Sequence, residues 1–199
     1  MKCNYITIER EYGSGGTKIA RRLAEVCGIR CYGPEILEAV SRKNHVPVDS
    51  IQHYEETVSG SFLYTLFVMS RTQTGDPDML TKEGHIFLDE QREIERLAAG
   101  GPAIFLGHCA AQALHDYPGV VRVFIHADSE SKKKRILADY GIPERQVESV
   151  RKRFDSKRSK YFYANTARRW MDPQNYDIML DSGRLGLDGC VKLLQGLFA

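Results

Sequence analysis

An apolar segment that runs through a glycine-rich turn into an amphipathic pattern constrains this chain more than any other part of it. The segment, residues 5–24, reads YITIEREYGSGGTKIARRLA. Gly13, Gly15 and Gly16 carry no Cβ, so their backbone can adopt positive φ and direct N–H groups toward an anion. A helix that begins at Thr17 adds the positive end of its dipole. The pattern therefore predicts a strand, a phosphate-binding loop and a helix in succession.

The loop matches the P-loop pattern G-x-x-x-x-G-K-[ST] only in part. Gly15 and Thr17 fit the pattern, whereas Arg10 stands at its first glycine and Gly16 at its lysine. We expect Thr17 to hold Mg²⁺ through its hydroxyl and Ser14 to donate to a phosphate oxygen. The residues expected to contact a nucleotide cofactor, ATP, are Gly13, Ser14, Gly15, Gly16, Thr17 and Lys18.

The composition is that of a soluble globular domain, with 42% hydrophobic and 27% charged residues. The sequence has neither a signal-peptide pattern nor an apolar run of about 18 residues, so we expect a cytoplasmic protein with no membrane partner. Its five cysteines are scattered without a CxxC pair. This spacing favours reduced thiols over a zinc site.

The positive charge is concentrated in one segment. Residues 132–169 hold 13 Lys and Arg against 4 Asp and Glu, a balance of +9, although the whole chain carries only +2. Arg151, Arg153 and Arg158 belong to this segment. Positioned cations stabilise the charge of a phosphoryl-transfer transition state, and arginine grips phosphate with a planar fork. We expect these three arginines to be catalytic; helical periodicity lets 151 and 158 share a face.

Two other interpretations of the basic segment stay open. It forms a solvated helix surface, or it forms an RNA-binding stripe in which Tyr161, Phe162 and Tyr163 stack on bases. Nucleic acid is the less favoured partner, and a small-molecule nucleotide the favoured one.

Strand and helix patterns alternate along the chain and predict an α/β fold. The predicted strands are residues 4–9, 29–32, 103–106, 120–126 and 176–180. Short strands joined through helices pair in parallel, with helices on both faces. The expected architecture is a three-layer α/β/α fold of the P-loop NTPase type, in one domain, with a five-stranded parallel sheet. His108 would follow the third strand at the sheet edge where ligands bind.

The alternation is interrupted between residues 44 and 81. The apolar positions at residues 62–69 predict either ordinary core or a flap that turns Arg71 toward a cleft. Together with His108 and Arg10, Arg71 is a candidate substrate-binding residue.

Five blocks of the sequence resemble the cytidylate kinase-like family, a branch of the P-loop nucleoside monophosphate kinases. They are ITIEREYGSGGTKIARRLAE, PAIFLGHCAAQAL, VVRVFIHA, KRFDSKRSKYF and NYDIMLDSGRLGLDGCV. The resemblance implies phosphoryl transfer from ATP with Mg²⁺, an acceptor-side insertion at about residues 34–80, and an arginine-rich lid at about residues 141–169. The resemblance implies that Gly16, which stands where bona fide cytidylate kinases carry the P-loop lysine, is shared across this branch. The sequence departs from the branch at His108, in place of arginine, and at Gly33, in place of aspartate.

Three hypotheses follow. The first is a phosphotransferase that acts on a nucleoside monophosphate, cytidylate-like, or on another small acceptor, with the lid supplying the charge of the lost lysine. The second is a nucleotide-binding sensor without transfer, and the third is an RNA-binding protein. If only the lysine charge is missing, we expect Gly16→Lys to raise transfer.

Overall fold

A computed structural model describes residues 3–49 and 82–198 of the chain. The strands are β1 (Tyr5–Arg10), β2 (Arg30–Tyr32), β3 (Ala103–Leu106), β4 (Val120–His126) and β5 (Ile178–Asp181). The helices are α1 (Gly16–Cys27), α2 (Pro34–Asn44), α3 (Lys82–Ala98), α4 (Ala110–Ala113), α5 (Ser129–Tyr140), α6 (Glu144–Thr166) and α7 (Ser182–Gln195), with a short 3₁₀ helix at Pro173–Asn175.

The five strands form one parallel sheet in the order β2-β3-β1-β4-β5. The prediction of a five-stranded parallel sheet in a three-layer fold is confirmed. β1 lies at the centre, where Tyr5 pairs with Ala103 on one side and Val120 on the other. The loop that follows β1 therefore opens in the middle of the carboxyl edge of the sheet, which is where open α/β sheets bind ligands.

The alternation of side chains along β1 builds both cores. Ile6 and Ile8 are buried on the face covered by α1 and α7. Tyr5, on the opposite face, packs with the buried ring of Phe105 beneath α2 and α3. Because β1 contributes to both layers, its backbone is held firmly on both sides, and the loop after it starts from a fixed point.

Glycines end two of the helices, and an aspartate caps the start of one. Gly28 (φ 65°) ends α1 and Gly141 (φ 61°) ends α5 in the left-handed conformation, while the Asp128 carboxylate caps α5 by accepting from the Ser131 N–H. The last helix differs. The apolar positions Val191, Leu194 and Leu197 favour a helix over residues 187–198, but α7 begins at Ser182 because Asp181 accepts hydrogen bonds from the N–H groups of Gly183 and Arg184.

Two expectations for the interrupted region concern residues outside the described part of the chain. These are the apolar stretch at 62–69 and Arg71. Among the helices that the structure describes, none combines the length and apolar character needed to cross a membrane.

Candidate active site

The glycine-rich loop between β1 and α1 has the predicted left-handed backbone. Gly13 has a φ of 78° and Gly15 a φ of 79°. Neighbouring helices leave no room for side chains here, since a Cβ on Gly13 would lie 2.8 Å from Cγ1 of Ile136, and one on Gly15 would lie 2.5 Å from Cδ2 of Leu187. Gly15 is also the N-cap of α1 and has no side chain of its own, although the Gly16 N–H donates to the Ser14 hydroxyl at 3.4 Å. The loop thus places glycine backbone at a helix N-terminus, which favours an anion.

Ser14 braces the loop from inside. It is fully buried, and its hydroxyl donates to the main-chain oxygen of Glu11, 2.8 Å away. Its own carbonyl accepts from the guanidinium of Arg135 at 3.1 Å and from the hydroxyl of Ser182. The Ser14 hydroxyl, which we expected to meet a phosphate oxygen, is therefore directed at the loop backbone.

Two acidic side chains fasten the loop to α5 and α6. Glu11 forms a buried ion pair with Lys132 at 2.9 Å and also accepts from the Ala127 N–H. The Tyr12 N–H donates to Oδ1 of Asp155 at 2.6 Å. Because Lys132 belongs to α5 and Asp155 to α6, the position of both helices is tied to the phosphate loop.

Stacked aromatic rings also join the loop to α5 and α6. The Tyr12 ring stacks on Phe154 with 4.5 Å between centroids and on Tyr140 with 5.1 Å between centroids. The cavity that remains over the loop has a volume of only about 20 Å³. In this conformation α5 and α6 are therefore closed over the loop.

Arg10 fills the space beside Gly16. A Cβ on Gly16 would lie 2.6 Å from Cβ and 3.0 Å from Cγ of Arg10. These are atoms next to the backbone, which cannot move away as the tip of a side chain can. A lysine at position 16 would therefore have to displace the stem of Arg10, and the expectation that Gly16→Lys raises transfer stays a prediction.

The Arg10 side chain then crosses the sheet edge to the end of β3. A Cβ on Gly107 would collide with Nη1 of Arg10, and Gly107 itself has a φ of 82°. The next two residues, His108 (φ 58°) and Cys109 (φ 50°), continue the left-handed turn. Glycine at 107 is thus required both by its backbone conformation and by the passage of the guanidinium.

A cleft of about 560 Å³ lies beyond the loop, at the carboxyl ends of β1 and β3. Its charged lining consists of the cations Arg10, Arg21, Lys157 and Arg158 and the carboxylates Glu9 and Glu38. Glu9 is held from behind by Trp170, whose indole Nε1 donates to Oε2 at 3.1 Å. Cations therefore outnumber carboxylates in this cleft.

His108 lines the cleft in a buried polar cluster. Its Nδ1 lies 3.6 Å from Oε2 of the fully buried Glu90, which also accepts from the Tyr161 hydroxyl. The amide of Gln91 donates to the His108 carbonyl at 3.1 Å. No sequence motif marks Glu90, and the basic block that contains Lys157 and Tyr161 does not assign them to this cleft; the meeting of α3 with α6 brings the three together.

Of the three arginines predicted to be catalytic, Arg158 reaches the site. Its Nη1 donates to the main-chain oxygen of Arg10 at 2.8 Å, and its guanidinium lies over the Tyr12 ring. Burial lowers the pKa of this guanidinium, an effect that Glu9 and Asp155 oppose. Arg158 therefore places a largely desolvated positive charge at the cleft.

Arg151 and Arg153 lie outside both cavities. Arg151 pairs with Glu148 at 2.7 Å and lies 3.6 Å from Asp155, while Arg153 is exposed, with its guanidinium 5.3 Å from the Phe154 ring centroid. Lys18 lines the loop cavity but pairs with Asp139 at 2.6 Å, and its side chain is 57% exposed. Arg151 and Arg153 thus lie apart from Arg158, although all three were predicted to be catalytic.

Arg10, Thr17 and Arg158 line both the loop cavity and the larger cleft. The pattern of a glycine-rich loop, a basic helix and a cleft at the sheet edge agrees with a family match: the sequence model of the cytidylate kinase-like family matches residues 5–184. The chain belongs to the cytidylate kinase-like family. For this member of the family, the match covers the loop, the cleft and α6.

Solved structures show the same fold as this cytidylate kinase-like protein. An uncharacterized protein from Eubacterium ventriosum has a TM-score of 0.71 at 23% identity, covering 98% of this chain and 97% of the other. TT1252 from Thermus thermophilus has a TM-score of 0.54 at 18% identity, and the match covers all of both chains. Shikimate kinase from Bacteroides thetaiotaomicron has a TM-score of 0.53 at 11% identity, and the match covers 97% of this chain and 96% of the other. The search of curated proteins found no match.

Proposed function

We propose that this protein transfers the γ-phosphoryl group of ATP to a nucleoside monophosphate, cytidylate or a close analogue, in the cytoplasm. The observation that supports this most directly is the junction between the two cavities. One cavity is the phosphate loop, the other is a larger cleft, and Arg10, Thr17 and Arg158 line both. A donor on the loop and an acceptor in the cleft would meet at these three residues.

The donor phosphates would bind backbone amides of the loop and of the first turn of α1. Gly13 and Gly15 provide the backbone conformation, and Thr17, partly buried in the first turn of α1, provides the hydroxyl suited to a Mg²⁺ ligand. When bound, Mg²⁺ neutralises charge on the donor phosphates. The chain's own part is to fix the phosphates against the helix dipole.

Arg158 would act on the transferring group. The bond between Pγ and the β,γ-bridging oxygen breaks, a bond from Pγ to an acceptor phosphate oxygen forms, and the products are ADP and a nucleoside diphosphate. A monophosphate acceptor needs to lose no proton in this step. The desolvated Arg158 guanidinium would stabilise the charge on the equatorial oxygens, which is the main contribution a protein makes to such reactions.

The lining of the cleft favours an anionic acceptor. Its four Lys and Arg exceed its two carboxylates, and His108 adds a further polar group. We propose that residues 34–80 form the acceptor side, with Arg71 and His108 contacting the acceptor, and that residues 141–169 form the lid, in which Arg151 and Arg153 stay at the rim. A closed lid excludes water and so limits ATP hydrolysis.

The test is a transfer assay with purified protein, ATP, Mg²⁺ and one acceptor at a time. The panel contains CMP, dCMP, UMP, AMP and GMP, together with shikimate, because a protein of the same fold is named for that carboxylated acceptor. We expect a nucleoside diphosphate with CMP or dCMP, and its loss in Arg158→Ala. If no acceptor yields product above the ATP-only control, the proposed function is overturned.

A second candidate is a nucleotide sensor without transfer. The closed loop cavity of about 20 Å³ and glycine at the lysine position favour it. Calorimetry that detects ATP binding to a protein inactive on the whole panel would support the sensor. The RNA-binding alternative has less support, since Lys133, Arg151 and Lys152 form ion pairs with glutamates.

A further inference from the structure

We propose that Arg10, at the end of β1, supplies the cation that a P-loop lysine supplies from position 16, and that it contacts the β- and γ-phosphates of the donor. This inference rests on the proposed function. It assigns the missing charge to a strand residue rather than to the lid. On this proposal, arginine at the first glycine position and glycine at the lysine position of the P-loop pattern compensate for each other.

The first support is steric. The stem of Arg10 occupies the space that a Cβ at position 16 would need, with the two Cβ positions 2.6 Å apart. Real Cβ atoms do not approach so closely, so the site accommodates a side chain from position 10 or from position 16, and not both. Glycine at 16 is therefore what allows arginine at 10.

The second support is location. Arg10 extends from beside the first residue of α1 to Gly107 at the end of β3, and lines both the loop cavity and the cleft. Its main-chain oxygen also holds Nη1 of Arg158 at 2.8 Å. The Arg158 guanidinium is therefore bound to the backbone of Arg10 at the junction where the phosphoryl group would transfer.

The third support comes from the other cations near the loop. Lys18 pairs with Asp139, and Arg135 is held by the carbonyl oxygens of Ser14 and Ser182. Lys157 and Arg21 line the cleft without lining the loop cavity. Within residues 3–49 and 82–198, Arg10 and Arg158 are the cations that line both. Arg10 comes from the sheet, so it holds its place when the lid moves.

The central experiment changes the charge at position 10 while keeping a side chain of similar length. Arg10→Met keeps the stem that packs on Gly16 and removes the charge, whereas Arg10→Lys keeps a charge. We expect Arg10→Met to weaken MgATP binding about 10- to 100-fold, the loss typical of hydrogen bonds to a charged group, measured by calorimetry. Adenosine, which has no phosphate, should bind Arg10→Met as it binds the wild type, and Arg10→Lys should recover part of the ATP affinity.

A double-mutant cycle tests the reciprocal substitution. Arg10→Gly should lose ATP affinity as Arg10→Met does. Gly16→Lys alone should lower the melting temperature by about 2–10 °C, because its side chain overlaps the stem of Arg10. The double variant Arg10→Gly/Gly16→Lys writes the full G-x-x-x-x-G-K-T pattern, so it should regain both melting temperature and ATP affinity. Arg22→Met is the matched control, because Arg22 is an exposed arginine on α1 that pairs with Asp188 of α7.

The outcomes separate this inference from the proposed function. If Arg10→Met binds MgATP within about twofold of wild type, or if the folded double variant stays as weak as Arg10→Gly, the role of Arg10 is overturned even when transfer is observed. If Arg10→Met loses ATP affinity but the wild type transfers to no acceptor, Arg10 keeps its role and the proposed transfer falls. If the wild type binds no ATP, both fall.

Discussion

The guanidinium of Arg158 donates a hydrogen bond to the main-chain oxygen of Arg10 across 2.8 Å. The bond joins α6 to the last residue of the central strand. Because the acceptor belongs to the backbone of the sheet, the cation is positioned against the most rigid part of the molecule. Helix α6 thus holds this charge at a fixed point of the sheet, and variants of α6 can separate an effect on chemistry from an effect on packing.

Replacing Arg158 should affect the chemical step. We expect Arg158→Ala to lower kcat about 10²- to 10³-fold, with a smaller change in KM, because the charge it supplies matters most in the transition state. Arg153→Ala should lose much less, since that guanidinium faces solvent over Phe154. Steady-state kinetics with the acceptor found in the panel test this, and equal losses in the two variants would contradict the assignment.

Loosening the aromatic stack should speed nucleotide entry. The cavity over the loop, about 20 Å³, exceeds the ~10–15 Å³ that a single water needs but is far too small for a chain of phosphates, so we expect phosphates to enter after α6 moves. Phe154→Ala removes a ring pair worth about 0.5–1.5 kcal/mol. We expect the association rate of a fluorescent ATP analogue to rise up to about tenfold in stopped-flow measurements. Val150→Ala, on the same helix and outside the ring stack, is the control; an unchanged rate in Phe154→Ala would argue against lid opening.

The buried ion pair of Glu11 and Lys132 should be costly to break from one side. Lys132→Met leaves a buried carboxylate without its partner, so we expect unfolding free energy to fall by about 3–5 kcal/mol. Glu11→Gln combined with Lys132→Met should recover most of the loss, because no charge remains buried. Urea denaturation measures both, with Lys134→Met as the exposed control; a loss in the double variant as large as in Lys132→Met would show that charge burial is not the cause.

Stability should depend on pH through Asp155. Burial raises the pKa of this carboxyl above its ordinary value, while the hydrogen bond from the Tyr12 N–H opposes the shift. The folded protein therefore holds the proton more tightly than the unfolded chain, so ionisation of Asp155 destabilises the fold above the raised pKa, and the penalty disappears as pH falls through it. Asp155→Asn keeps an acceptor for Tyr12 and removes the charge.

Relative to wild type, Asp155→Asn should be more stable at pH 7, and the difference should shrink toward pH 4. Urea denaturation at a series of pH values checks this. Asp155→Ala, which also loses the acceptor, should be the less stable of the two variants throughout. A difference between Asp155→Asn and wild type that does not change with pH would refute the role of ionisation.

Much of the fold could be predicted because local chemistry ends its elements. Gly28, Gly141 and Asp128 act through their own backbone or side chain, so a sequence reader sees them directly. The start of α7 is harder to predict. Gly186, with a φ of 69°, interrupts the helical pattern and separates the first turn from the rest, although the cap at Asp181 is as local as the one at Asp128.

The site was predictable in its parts and not in its contacts. Periodicity placed Arg151 and Arg158 on one face, yet Glu148, three residues before Arg151, intercepts that arginine. That i, i+3 pair could have been read from the sequence. The relation between Arg10 and Gly16 could not, because both appear in the sequence as separate departures from a pattern, and only the three-dimensional distance shows that they share one space.

The chain also carries an optical probe of its own. Trp170 is its only tryptophan, is 3% exposed, and donates its indole N–H to Glu9, the neighbour of Arg10 along β1. Indole emission responds to nearby charge and to the loss of a hydrogen-bond partner. An anion that settles between Arg10 and Arg158 would alter the field at Glu9, so the intensity or wavelength of tryptophan fluorescence should follow occupancy of the site without any label.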